Sequence, residues 1–244
     1  ARRDRTRLIS LRLLKNQERK ALVAVSSTVK FELEEHRLAN GLRVLLQPDS
    51  SAPLVALHVM YHVGSKNERS GRTGFAHLFE HLLFQGSEHV PREGHFKYIQ
   101  DAGGTLNGTT WFDRTNYFET LPANELELGL WLESDRMGFF KPGITQEKLD
   151  NQRDVVKNER LQSYENRPYG LAFETVLESA YPQGHPYRHP TIGYMEDIDA
   201  ASLEDVHKFF DSYYGPNNAT LVLVGDFEPD EALERIQMWF GGIS

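Results

Sequence analysis

Residues 74–84 read Gly-Phe-Ala-His-Leu-Phe-Glu-His-Leu-Leu-Phe, which places His77, Glu80 and His81 in an HxxEH pattern inside an apolar run of helical period. At 3.6 residues per turn, positions 77 and 81 share one helical face with Cβ atoms about 6 Å apart, so both imidazoles can converge on one ion. Glu80 falls on the adjoining edge, where its carboxylate can face a water on the metal without becoming a ligand. Leu78, Phe79, Leu82, Leu83 and Phe84 supply apolar packing around that polar stripe. One zinc ion suits two neutral imidazoles plus a carboxylate, keeps a fourth position for water, and lowers that water's pKa from about 15.7 to about 7. Glu80 is then the general base that takes the proton as a carbonyl is attacked. A short motif can arise by chance in a chain with 10 histidines. Two imidazoles and a carboxylate on one buried face are nonetheless costly without a cation.

A third ligand has to come from elsewhere in the chain. Residues 145–166 read as a long helix in which Leu149, Gln152, Val155, Val156 and Glu159 fall on one stripe. Glu159 is thereby expected on an apolar face, where an unpaired carboxylate is unfavourable. Its partner is either the zinc or, as a purely structural ion pair, Arg160, Arg153 or a lysine on a neighbouring element.

With these residues in place, the sequence resembles the pitrilysin-type (inverzincin) zinc peptidases, the family that includes mitochondrial processing peptidase and insulin-degrading enzyme. The family pattern is HxxEH followed some seventy-odd residues later by a glutamate on a helix, and Glu159 stands 78 residues beyond His81. The resemblance implies that His77, His81 and Glu159 hold the metal and that Glu80 is the base. It also makes Gly103–Thr110, followed by Asp113–Tyr117, an edge strand and its return strand, against which a peptide substrate lies extended. Asn107, Gly108 and Thr109 are the substrate-binding candidates, with Gly108 allowing close backbone approach. On the residues alone the same stretch is an ordinary Gly/Thr-rich hairpin. The run His185-Pro186-Tyr187-Arg188-His189-Pro190 with Gly193 also resembles the family. Its prolines keep the two histidines off a common helix face, so no metal role is assigned to them. One position departs from the pattern: many relatives carry a second glutamate two turns before the ligand glutamate, and this chain has Gln152 there. A glutamine can hydrogen-bond a ligand but cannot accept a proton.

Composition bounds the rest. The 244 residues, 39% hydrophobic and 25% charged, suffice for one large domain with a substantial core. No window approaches 18 uninterrupted apolar residues, so no membrane span is expected. The absence of cysteine excludes disulfides and thiolate ligands and leaves the redox compartment open. Residues 1–20 hold eight Lys or Arg against Asp4 and Glu18, a balance of +6, and the total of -8 leaves -14 on residues 21–244. An acidic body argues against nucleic acid as a partner. Residues 1–28 read as a basic arm, amphipathic or the remnant of a targeting segment, and fix no compartment, whether periplasmic, cytoplasmic or organellar.

Residues 29–38 and 42–47, joined through Asn40-Gly41, read as a β-hairpin on a favoured two-residue turn. A strand over 54–63 follows, then the motif helix near 73–85 and a short helix near 93–102. Strands near 105–111 and 115–121 precede helices near 123–137, 145–166, 168–180 and 202–214, a strand over 219–225 and a helix over 229–240. This mixture predicts an α+β fold, a mostly antiparallel sheet packed on one side by helices, in one catalytic domain spanning 29–244. Family members usually contain two or four such domains, so the chain is expected to be a catalytic N-terminal half. A second homologous domain or a partner chain would complete its active-site chamber, and the half alone should be weak or inactive. The function expected is a zinc-dependent endopeptidase acting on extended or unfolded peptides through a metal-bound water activated by Glu80. The alternatives are a non-catalytic or partner-dependent subunit of such a peptidase and a zinc hydrolase of non-peptide substrates.

Overall fold

Strict alternation of burial along Leu54–Tyr61 identifies a sheet with one packed face, since Val55, Leu57, Val59 and Tyr61 are buried while Leu54 and Ala56 are exposed. The computed structural model describes residues 33–244; the basic arm over 1–28 and the expected start of the first strand lie outside the described residues. Six strands are present among the described residues: β1 (Glu34–Arg37), β2 (Arg43–Pro48), β3 (Leu54–Tyr61), β4 (Thr105–Thr110), β5 (Thr115–Pro122) and β6 (Ala219–Gly225). They form one sheet in the order β1-β2-β6-β3-β5-β4, antiparallel throughout except for the parallel pair β2 and β6. The fold is α+β, as expected.

The helices are α1 (Phe75–Leu82), α2 (Gly94–Asp101), α3 (Leu126–Gly143), α4 (Gln146–Arg160), α5 (Ala172–Ala180), α6 (Met195–Asp199), α7 (Leu203–Tyr213) and α8 (Pro229–Phe240). Side chains from β2, β3, β5 and β6 and from α1, α3, α4, α7 and α8 join in one buried apolar cluster that includes Phe79, Phe140, Val156 and Ile236. The hydrophobic effect of that cluster seats α1 on the sheet. No helix among the described residues is long and apolar enough to cross a membrane.

Three local expectations change. The first hairpin turns through three residues rather than two: Leu38 N–H donates to Leu42 O, Gly41 N–H donates to Leu38 O, and Gly41 has φ +95°. That is a turn whose last residue is left-handed, the other loop length a glycine serves well. The long helix expected over 145–166 is α-helical to Arg160 and continues as a π-type turn over Leu161–Glu165. Val155 does not share the buried stripe of Leu149, Gln152 and Val156 but is 41% exposed.

Candidate metal centre

α1 begins at Gly74, whose φ of +81° a glycine reaches without strain, and it presents Phe75, Leu78, Phe79 and Leu82 to the core. The opposite stripe carries His77 and His81, with ring centroids 4.8 Å apart and planes at 77°. α4 crosses nearby and brings Glu159 to them. One donor atom from each of His77, His81 and Glu159 lies within 4.8 Å of the other two. Glu159 Oε2 is 3.7 Å from His77 Nε2 and 3.4 Å from His81 Nε2. Donors about 2.1 Å from a tetrahedral zinc stand about 3.4 Å from one another, so the two distances from Glu159 fit the group in spacing and all three residues fit it in donor type. The ion pairs considered for Glu159 with arginine do not form. Arg160 pairs with Glu165 and Glu174, and Arg153 with Asp150. The Glu159 side chain is 41% exposed, so it sits at the rim of the buried stripe rather than within it.

Electrostatics suit ligation. Burial, helped by the adjacent His81, pushes the His77 pKa down to about 4, so the ring is neutral with a lone pair available. The hydrogen bond to His81 draws the Glu159 carboxyl below its ordinary range, against an opposing effect of burial.

Glu80 faces the hairpin of β4 and β5. Thr110 Oγ1 donates to Glu80 Oε2 at 2.6 Å, and no side chain among the described residues bonds Oε1. Burial raises the Glu80 carboxyl pKa, and the Thr110 bond counters it. Gly108 lies directly over this group: a Cβ there would come within 3.1 Å of Glu80 Cγ and 3.0 Å of the Phe84 ring. The missing side chain makes room for Glu80 and Phe84. Asn107 is exposed and Thr109 half-buried on β4, one of the two edge strands of the sheet, which pairs only with β5 among the described residues.

Gln152 is buried, and its amide donates to Asn151 Oδ1 at 3.0 Å. No hydrogen bond links it to His77, His81 or Glu159, so the expected support of a ligand from this position is not realised. Reasoning from the sequence missed several supporting residues. Besides Thr110, Tyr117 donates its hydroxyl to the carbonyls of Phe79 and Glu80, both at 3.4 Å. Arg136 Nε donates to Leu83 O at 3.1 Å, with its guanidinium carbon 4.2 Å from the Tyr117 ring centre. Both serve carbonyls at the C-terminal end of α1, where the helix leaves acceptors without a full set of donors of its own. Apolar patterning gives no warning of a buried arginine.

Comparison with known proteins places this geometry. Residues 43–193 match the family model described as Insulinase (Peptidase family M16), and residues 200–244 match one described as Peptidase M16 inactive domain. The break between the two matches is not a structural boundary, because β6, from the second, lies between β2 and β3. The chain is 34% identical over 208 residues to the zinc protease PqqE of Helicobacter pylori, covering 85% of this chain and 46% of that protein. It is 24% identical over 207 residues to a probable mitochondrial-processing peptidase subunit beta of Arabidopsis thaliana, covering 85% and 38%. The crystal structure of a protease from Helicobacter pylori superposes with a TM-score of 0.84 at 32% identity, over 88% of this chain and 51% of that one. The first half of the periplasmic protease PqqL from Escherichia coli shares the fold, with a TM-score of 0.78 at 23% identity over 87% and 46%. The chain therefore spans about half the length, or less, of these relatives.

Proposed function

The chain belongs to peptidase family M16, and from that premise we propose that it is the catalytic portion of a zinc-dependent endopeptidase acting on extended peptides. The observation that carries this reading is the convergence of His77, His81 and Glu159 beside the Glu80 carboxylate, which lies outside that donor set. In this reading His77 Nε2, His81 Nε2 and Glu159 Oε2 hold one zinc ion, which when bound supplies Lewis acidity to water and to the scissile carbonyl. Glu80 takes the proton from the attacking water on Oε1 and returns it to the leaving amine. Thr110 orients that carboxylate by holding Oε2. The β4 edge, with Asn107, Gly108 and Thr109, receives the peptide as an added strand beside Glu80. Gln152, lacking a second carboxylate, leaves Glu159 and Glu80 as the acidic groups of this role.

The relatives' greater length supports a second domain, or a partner chain, that closes over the site, so the isolated 244 residues should turn over peptide slowly. A purely non-catalytic role is disfavoured because a full donor set and a base are both present. The test is zinc-loaded protein against a fluorogenic unstructured peptide, with Glu80→Gln as control. Peptide cleavage by the zinc-loaded protein, however slow, that vanishes in Glu80→Gln supports the reading, and equal measurable rates in the two would refute it.

A further inference from the structure

The eight-residue α1 has no side chain of its own capping its first turn. Its free N–H groups are answered from upstream instead. Glu68 Oε2 accepts from Gly74 N–H at 2.9 Å, and Glu68 Oε1 accepts from Ala76 N–H at 2.7 Å. The Glu68 side chain is 0% exposed, so the carboxylate meets the positive end of the helix in a setting where charge is weakly screened. A third donor completes it. His189 Nε2 lies 2.8 Å from Glu68 Oε2 and 3.1 Å from Ser65 O. A carbonyl only accepts, so Nε2 carries the proton and donates.

His189 belongs to the proline-punctuated stretch that the active-site reading leaves without a role. Four residues on, the backbone of Gly193 presses against the start of α1: a Cβ on Gly193 would lie 2.3 Å from Gly74 Cα. The carbonyl of Gly193 in turn accepts from Arg160 Nη1 at 2.7 Å. Arg160 directly follows Glu159 at the end of α4, and its side chain is buried. A continuous strap therefore runs from the first turn of α1, through Glu68, His189 and Gly193, to Arg160 at the end of α4. It ties together the two helices that supply the metal cluster.

We propose that Glu68 and His189 are positioning residues, which through the 189–193 strap fix the spacing between the imidazoles on α1 and the Glu159 carboxylate on α4. The inference rests on the metal-site reading above. It predicts effects local to α1, whereas a general role in stability would loosen the whole sheet.

The experiment uses the full chain with two readouts: zinc affinity by competition with a chelator, and amide hydrogen exchange over residues 74–84. His189→Ala should weaken zinc binding about tenfold or more, the range seen when groups supporting a metal ligand are removed. It should also speed exchange in α1 while β6 and α8 stay as in wild type. His189→Gln keeps a donor of similar reach and should restore both. Glu68→Gln should match or exceed the His189→Ala effect, and if it fails to fold, the two His189 variants decide the matter. Wild-type zinc affinity and exchange in His189→Ala would overturn the proposal, as would a His189→Gln protein no better than His189→Ala. If wild type itself takes up no zinc, the metal-site reading fails, and exchange in α1 alone then judges the strap.

Discussion

Replacing Gly193 by alanine tests how tightly the strap is packed, and Gly103→Ala supplies its control. Both glycines are left-handed, with φ of +76° and +80°. Alanine at either position incurs the dihedral cost of about 1–2 kcal/mol. At Gly103 the new Cβ meets nothing within 4 Å, so that cost is the whole effect. At Gly193 it would lie 2.3 Å from both Cα and N of Gly74 and 2.5 Å from the carbonyl carbon of Thr73, all backbone atoms. Relief requires moving the start of α1 by roughly an ångström, which adds an overpacking cost of about 1–3 kcal/mol. The expected losses are thus about 2–5 kcal/mol for Gly193→Ala against about 1–2 for Gly103→Ala. With a urea slope of about 3 kcal/mol per molar, the midpoint should fall by about 0.7–1.7 M in the first and about 0.3–0.7 M in the second. Urea titrations followed by far-ultraviolet dichroism and tryptophan fluorescence, with a chelator present to remove stabilisation by bound ion, would measure both. Equal midpoint shifts would refute the close backbone contact.

Three further outcomes are expected. Glu80→Gln should keep wild-type zinc content while lowering kcat on peptide by about 10²–10⁴, measured on the same metal-analysed protein. Thr110→Val removes a bond to a charged group with a net contribution of about 1.5–3 kcal/mol, so kcat should drop about 10- to 100-fold with little change in KM, and Thr110→Ser should recover most of it. Glu119, buried opposite Glu133, has its pKa raised by burial first and by Glu133 second, so the folded state keeps a proton that the unfolded chain releases. Stability from this group is complete below the unfolded carboxyl value and declines as pH rises above it. Glu119→Gln should accordingly gain on wild type as pH rises above the ordinary carboxyl range, and urea midpoints whose offset does not change with pH would contradict this.

Much of the centre was legible because it is local. The HxxEH spacing fixes His77, Glu80 and His81 by helix period alone, and β6 and α8 occupy the residues that apolar patterning indicated. Glu159 could be placed on its helix, but its depth could not. Period puts Val155 and Val156 on one broad stripe, and the period alone does not show that tertiary packing leaves Val155 exposed and buries Val156. The same limit applies to Gly108, where a sequence shows a glycine but not which neighbour its absent side chain admits. Glu68, His189, Arg136 and Tyr117 were illegible for a different reason. Each serves backbone groups of α1 or its neighbouring turns from outside the helix, and polar side chains recruited in this way follow no period.

One divalent ion is expected to be gripped jointly by side chains on α1 and α4. Elemental analysis of protein purified without chelators, compared with His81→Ala and Glu159→Gln, tests it most directly. One zinc per chain is expected in wild type and a large loss in each variant, with the far-ultraviolet dichroism unchanged. Metal-free wild type after zinc loading, or full occupancy in Glu159→Gln, would contradict it.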